Sequence, residues 1–280
     1  MLLIAFLTKE DKEQSALFED RTAENKEDWC LRVAQHLFSQ LSYSGEYTID
    51  SGYEGSNRKS CPCSNKDELV GKFGDTSFGC RTLWHGSADL IFGVDMPVKL
   101  VQENTDMSKS ESASSDTVEM ETSNTENDFS LNDKYEMRGQ VIGFGFYVNK
   151  LERQKENPKY FLTPHIGISK EKIKFLFYDS AHDVLLETSA HKLCCYGNQL
   201  SYHIILTVWL VMNYKLFGGE TPAILRRYKS GFHSMFPSKL KVYIDDVKAP
   251  CHVDSSLLKE DHLPNYCKYV SSDVVEVRSE

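Results

Sequence analysis

The order of apolar patterns predicts an α/β fold: a central mixed sheet flanked by helices, carried by one domain. Three observations predict it. Apolar side chains recur at helical spacing over residues 25–42, and helical stretches return at 139–154 and 201–217. Between them lie short runs rich in β-branched and aromatic residues, bounded by turn residues. The chain has 280 residues, 40% of them apolar and 11% aromatic, which is enough for a sizeable core. Residues 1–217 read as the domain, interrupted at 104–133, and 218–280 as a peripheral C-terminal extension.

The opening MLLIAFLTKEDKE has no basic segment before its apolar run and no small-residue cleavage site, so it reads as part of the fold. In NKEDWCLRVAQHLFSQLS, residues 25–42, apolar side chains recur from Cys30 to Leu41, with Glu27 and Asp28 in the first turn where the helix dipole favours acids. A Gly, Ser and Asn-rich stretch follows from Ser44 to Asn65 and contains Cys61-Pro62-Cys63. Strands at 82–92 and 97–102, joined by VDMP, form an expected hairpin. GQVIGFGFYVNKLERQ, residues 139–154, keeps helical periodicity despite three glycines. Each costs a helix up to about 1 kcal/mol against alanine, so they imply a closely packed partner or a strand-like alternative for part of the run. YFLTPHIGIS, KIKFLFYDS and DVLLETS have strand length and composition. IILTVWLVMNYKLF, residues 204–217, is shorter than the roughly 20 residues a bilayer requires and carries Asn213 and Lys215, so it reads as a core helix rather than a membrane span.

The net charge of −9 is unevenly placed. Residues 103–136 hold ten acids, two bases and seven serines, too little apolar surface to offset ordering entropy, so 104–133 is expected to be unstructured. The remainder, with 31 acids and 30 bases, is near neutral, so the global sign says little about partners. No internal repeat and no glycine-rich phosphate loop is present, so no nucleotide cofactor is expected. Eight cysteines in a long chain without a secretory signal imply a reducing, intracellular setting, with nucleus and cytoplasm undistinguished. Cys61, Cys63, Cys80 and His85 carry metal-ligating atoms, but Cys-x-Cys lacks the usual two-to-four residue spacer and no second pair follows, which disfavours zinc. No local signature supports a Cys/His hydrolase.

The residue that asks for an explanation is Asp89, in WHGSADLIFG, where a turn meets a strand. A helix, a hairpin carrying an aspartate, an acid-bearing strand, a helix carrying Gln140 and a further strand follow the order of the PD-(D/E)xK, or restriction-endonuclease-like, nuclease superfamily. WHGSADLIFG, GQVIGFGF, FYDSAHDVLLE and TVWLVMNYKLF together resemble uncharacterised nuclease-like proteins of invertebrate genomes, over roughly residues 25–217. The resemblance implies a restriction-endonuclease-like core and metal-dependent hydrolysis of DNA phosphodiesters. Asp89 and Glu119 would be ligands of Mg2+ or Mn2+, Glu103 the other choice for the second ligand, and Gln140 a supporting catalytic residue. Such chemistry needs carboxylates to hold a hard cation and a lysine to orient water or balance charge. The lysine is not where the family pattern puts it: Thr105 stands two residues after Glu103, and Glu121 two after Glu119. Lys99 or Lys134 would have to replace it.

Plainer readings stand beside each of these. Asp89 would cap a turn, with an expected loss of about 1 kcal/mol on removal; as one acid of a metal cluster, its replacement by alanine would instead relieve repulsion. Glu103 and Glu119 would be solvated, Gln140 a surface residue, and Glu27 a first-turn acid rather than a third ligand. His85 would touch phosphate or pack beside Trp84. Arg226, Arg227 and Lys229, interleaved with Tyr228 and Phe232, would bind nucleic-acid phosphate or form a solvated surface. The alternative to a nuclease is a non-catalytic module that keeps the fold and binds nucleic acid or protein, with the acidic insertion as its partner-binding arm.

Overall fold

The computed structural model describes residues 2–19, 25–53, 58–80, 84–93, 96–102, 128–154, 162–217 and 221–249. Helices α1 (Leu2–Thr8) and α2 (Glu10–Phe18) lead to α3 (Lys26–Val33), which passes without a break through a π-helical stretch, Ala34–Phe38, into a last turn, α4 (Ser39–Leu41). Asn25 caps α3 by accepting from Asp28 N, with Glu27 and Asp28 in the first turn as the sequence predicts. Then come β1 (Tyr47–Asp50), β2 (Lys72–Gly74), β3 (Ser77–Gly79), β4 (His85–Ser87), β5 (Leu90–Phe92) and β6 (Met96–Leu100). Helix α5 (Leu131–Glu152) crosses to β7 (Thr163–Ile168), followed by β8 (Lys172–Asp179), β9 (Val184–Glu187) and β10 (His191–Lys192). A small hairpin, β11 (Cys194–Tyr196) and β12 (Gln199–Leu200), precedes α6 (Tyr202–Met212) and α7 (Tyr214–Phe217). A 3-10 turn (Ala223–Arg227), α8 (Phe232–Met235) and α9 (Pro237–Asp246) end the described chain.

The main sheet runs β10-β8-β7-β6-β5-β1-β2, with β9 also on β8. The pairs β1/β2 and β6/β7 are parallel and the others antiparallel, so the sheet is mixed. Strand alternation divides the core into two layers. Leu90, Phe92, Val98, Ile166 and Ile168 pack with α1–α4 and α6, while Ile91, Leu176 and Tyr178 pack with α5 and α9. The chain is therefore an α/β protein with helices on both faces of its sheet.

Three expectations change. The strand expected at 82–92 is two: β4 pairs with β3 in a separate hairpin, whereas β5 joins β1 and β6. The break falls at Ala88, whose carbonyl accepts from Thr76 Oγ1 at 2.6 Å and whose N–H reaches Thr76 O. Within the stretch expected to be unstructured, 128–133 is ordered, because Asp128 is held by Lys134 at 2.8 Å and Lys174 at 3.3 Å and Ser130 caps α5; residues 103–127 lie outside the described residues. Residues 221–249 are not peripheral. Tyr243 and Val247 are buried against α5, and Lys248 pairs with Gly79.

The glycines of α5 are explained by close packing, and the whole run is helical. Trp84 lies across Gly139 and Gly143, and Tyr178 across Gly145. A Cβ on Gly145 would stand 2.6 Å from Tyr178 Cδ1, in a ring that is fully buried and tied through its hydroxyl to Asp183 at 3.0 Å. Gly145→Ala is expected to lower stability by about 1–2 kcal/mol through overpacking. Chemical denaturation reads this directly, and an unchanged midpoint would mean that the ring moves freely.

At α6 the apolar run stops at Asn213, whose amide donates to Leu41 O while its carbonyl accepts from Tyr43 N. Among the described residues no helix is long and apolar enough to cross a membrane.

Candidate functional site around Asp89

Asp89 is the residue just before β5, and it continues the ladder on both sides. Its N–H donates to Val98 O at 3.1 Å and its carbonyl accepts from Asp50 N at 3.1 Å. Alternation turns its side chain toward the α5 side, the side of Ile91 and of Lys99. There Oδ2 accepts from Leu100 N at 2.8 Å, and Oδ1 accepts from Tyr53 Oη at 2.8 Å and pairs with Lys26 Nζ at 2.6 Å. The acid inside a strand-like run is thus a buried, multiply bonded carboxylate that joins α3, β1 and β6.

Lys99, one of the two lysines that the sequence offers in place of the family's, lies beside Asp89. Its Nζ lies 3.8 Å from Asp89 Oδ2 and 2.6 Å from Glu136 Oε1 on α5. Burial pulls the Lys99 ammonium toward the neutral form, but Asp89 and Glu136 outweigh that and hold it above the ordinary lysine range. Lys134 instead pairs with Asp128.

Gln140 is not a surface residue. Buried on α5, it donates through Nε2 to Ser87 O at 2.9 Å and to Glu136 Oε1 at 3.3 Å, while Oε1 faces His165 Nε2 at 2.7 Å. Because Gln140 Oε1 only accepts, His165 carries its proton on Nε2. Burial, then the nearby Lys99, pushes the His165 pKa down to about 3, so the ring is neutral. Glu136, Gln140 and His165 thus form a polar chain beneath Lys99.

Among the other sequence candidates, Glu103 and Glu119 lie outside the described residues. Glu27 is buried in the first turn of α3; burial, then Asp89 and Glu27 among its neighbours, raise the Cys30 thiol well above its usual pKa. His85 is exposed on β4. Arg226, Arg227 and Lys229 are not brought to Asp89. Leu100, beside Asp89, pairs with Ile168 at one end of β7, whereas Lys229 bridges Val184, which leads through Asp179 and Tyr178 to Thr163 at the other end. Five residues of strand, roughly 16 Å, separate those ends. Arg226 bonds Thr221 O, Arg227 lies over the Tyr228 ring, and Lys229 bonds His182 O.

A second group of metal-ligating atoms lies elsewhere. His36, in the π-helical stretch, meets Cys61 and Cys63, with the three ligand atoms within 4.8 Å of one another and all three residues buried. Cys80, considered with them in the sequence, packs in the α5 layer, and His85 is exposed. Burial pulls His36 down, yet hydrogen bonds to Cys61 and Glu13 push it up to about 10. Burial pushes the Cys63 thiol up, but hydrogen bonds to Cys61, His36 and the Asp67 backbone outweigh it and hold it low, while burial leaves Cys61 raised.

Sequence reasoning missed Glu136, Lys26, Tyr53, His165 and His36. Glu136 did carry a signal, since it stands one helical turn before Gln140 and so shares its face.

No family model, no curated protein and no solved structure matches this chain. Its fold and its site are described by its own geometry.

Proposed function

We propose that the Asp89 site hydrolyses phosphodiester bonds of DNA with the help of a divalent cation, as a reduced PD-(D/E)xK-type site in a restriction-endonuclease-like core. The observation that carries this reading is the single ammonium of Lys99 set between the carboxylates of Asp89 and Glu136. Two carboxylates that face one ammonium would face a hard cation placed between them in the same way. Asp89 and Glu136 would hold Mg2+ or Mn2+, Glu136 taking the place first given to Glu119 or Glu103. The ion, when bound, would neutralise the scissile phosphate and favour ionisation of a water. Lys99 would orient that water and balance charge in the transition state, and Lys26 would face phosphate. Gln140 fixes Ser87 and Glu136, and so the turn that presents Asp89.

A second reading is favoured by one specific observation: both Asp89 oxygens are already bonded, to Lys26, Tyr53 and Leu100 N, and Pro97 rather than an acid stands two residues before Lys99. In that reading the site has lost its chemistry, and the chain is a module that binds nucleic acid or, through its acidic insertion, protein.

Cleavage assays on plasmid and single-stranded DNA with Mg2+ or Mn2+ separate the two. Wild-type chain is expected to cut, and Asp89→Asn and Lys99→Met to lose at least about a hundredfold in rate. Salt-sensitive DNA binding without any cutting would establish the module instead, and equal rates in all three proteins would remove the site from the chemistry.

A further inference from the structure

We propose that His36, Cys61 and Cys63 form a binding site for a thiophilic divalent ion of the zinc class, distinct from the Asp89 site and independent of its function. The three ligand atoms lie within 4.8 Å of one another, with His36 Nε2 and Cys61 Sγ 3.3 Å apart. Tetrahedral zinc, with Zn–S about 2.3 Å and Zn–N about 2.0–2.1 Å, sets its ligand atoms about 3.6–3.8 Å apart, so only small shifts are needed. Two sulfurs and one imidazole are the donor set that selects zinc over magnesium.

The surroundings are those of a built site. Glu13 Oε2 lies 2.8 Å from His36 Nδ1, which fixes the ring with Nε2 turned toward the thiols, the carboxylate–histidine arrangement that orients metal-bound imidazoles. The neighbouring Gln35 ties the π-helical stretch to the loop after the cysteines: its Nε2 donates to Glu68 O at 3.2 Å and its Oε1 accepts from Val70 N at 3.2 Å and from Tyr47 Oη at 2.7 Å. The cysteine loop is closed upon itself. Cys61 N donates to Asp67 O, Lys66 N to Cys63 O, and Lys66 takes a positive φ of 51° that completes the turn. A π-helical insertion in α3 places His36 there, and such insertions recur at functional sites.

Three protein ligands leave one tetrahedral position for water or an exchangeable donor. The bound ion would clamp α2, α3 and the 58–69 loop together beside β2.

The test uses the full chain. Purified under reducing conditions and supplied with zinc, it is expected to hold about one ion per chain by elemental analysis, and with Co2+ to show thiolate charge-transfer and tetrahedral d–d absorption. Cys61→Ser/Cys63→Ser is expected to lose the ion and both bands. Glu13→Gln, which keeps every ligand, is expected to weaken zinc about 10–100-fold in a chelator competition while the stoichiometry at saturation stays the same. This arm keeps the proposal testable if the double variant does not fold. A wild-type chain without stoichiometric zinc or a cobalt–thiolate band would overturn it. So would zinc retained by the folded double variant, or a Cys61–Cys63 disulfide that on reduction takes up no metal.

Discussion

Asp89→Ala is expected to lower the folding free energy by about 3 kcal/mol, a loss larger than turn capping explains and opposite in sign to what an acid cluster implies. The neighbours decide the sign. Lys26 at 2.6 Å and Lys99 at 3.8 Å flank the carboxylate, so its removal takes away two attractions and leaves Lys99 to Glu136 at 2.6 Å. Leu100 N loses its acceptor, and the Tyr53 hydroxyl loses its partner. The Lys99 side chain is only 15% exposed, so water replaces the lost carboxylate poorly. Asp89→Asn keeps one acceptor oxygen and is expected to lose roughly half as much. Adding Lys26→Met to Asp89→Ala should restore part of the stability, since the ammonium that faced Asp89 at 2.6 Å is then replaced by an apolar side chain of similar length. Urea unfolding at constant m-value measures all three. A change within about 0.5 kcal/mol for Asp89→Ala would show that the carboxylate is held without contributing, and would return it to the category of a surface cap.

How much of this site could be read in advance depends on where its information resides. The period of NKEDWCLRVAQHLFSQLS and its Asn25 cap define a helix locally, and the structure keeps it. The π-helical stretch inside it has no local signature, and a single histidine on an apolar helix is an ordinary core residue until Cys61, twenty-five positions later, is folded onto it. Lys99 is one of two lysines the sequence offers for the site, but its pairing with Asp89 depends on the β5–β6 register, Leu90 opposite Val98, which sequence periodicity alone does not fix. Glu136 was hidden by composition: counted with the acidic run, it looked solvated, although it begins the face on which Gln140 stands. Tyr243 was hidden for the opposite reason, since its helix is polar on most of its surface and buries only the stripe that meets Phe146 and Gly143. What was legible is local period and capping. What was not is long-range pairing, which takes the fold to establish.

The neutral His165 makes the chain sensitive to acid in a way that one substitution can isolate. Its ring is fully buried, donates from Nε2 to Gln140, and lies near enough to the Lys99 ammonium to be disfavoured as a cation, so that its pKa falls from an ordinary 6.5 to about 3. As pH drops below about 6.5 the unfolded chain takes up a proton that the folded chain refuses until about pH 3, and the folded state loses stability by up to about 1.4 kcal/mol per pH unit in that window. Between pH 7 and pH 4 this amounts to roughly 2–3 kcal/mol, beyond what Gly145→Ala removes. Carboxylates held low in the fold, Asp128 and Asp179, add their own acid loss, so the wild-type slope alone does not identify the histidine. His165→Gln separates the contributions: its Nε2 reaches the position of the histidine donor and has no charge to gain. Urea unfolding of both proteins at half-unit steps from pH 7 to pH 4 is expected to show the variant losing about 1 kcal/mol less per pH unit below 6.5. His36, held up at about 10, has the reverse dependence: its contribution is complete below 6.5, fades as pH rises toward 10, and is therefore constant across the acid titration. Parallel slopes for wild type and His165→Gln would mean that the buried ring takes its proton with the fold intact, and that the polar chain from Glu136 through Gln140 to His165 accommodates a second positive charge beside Lys99.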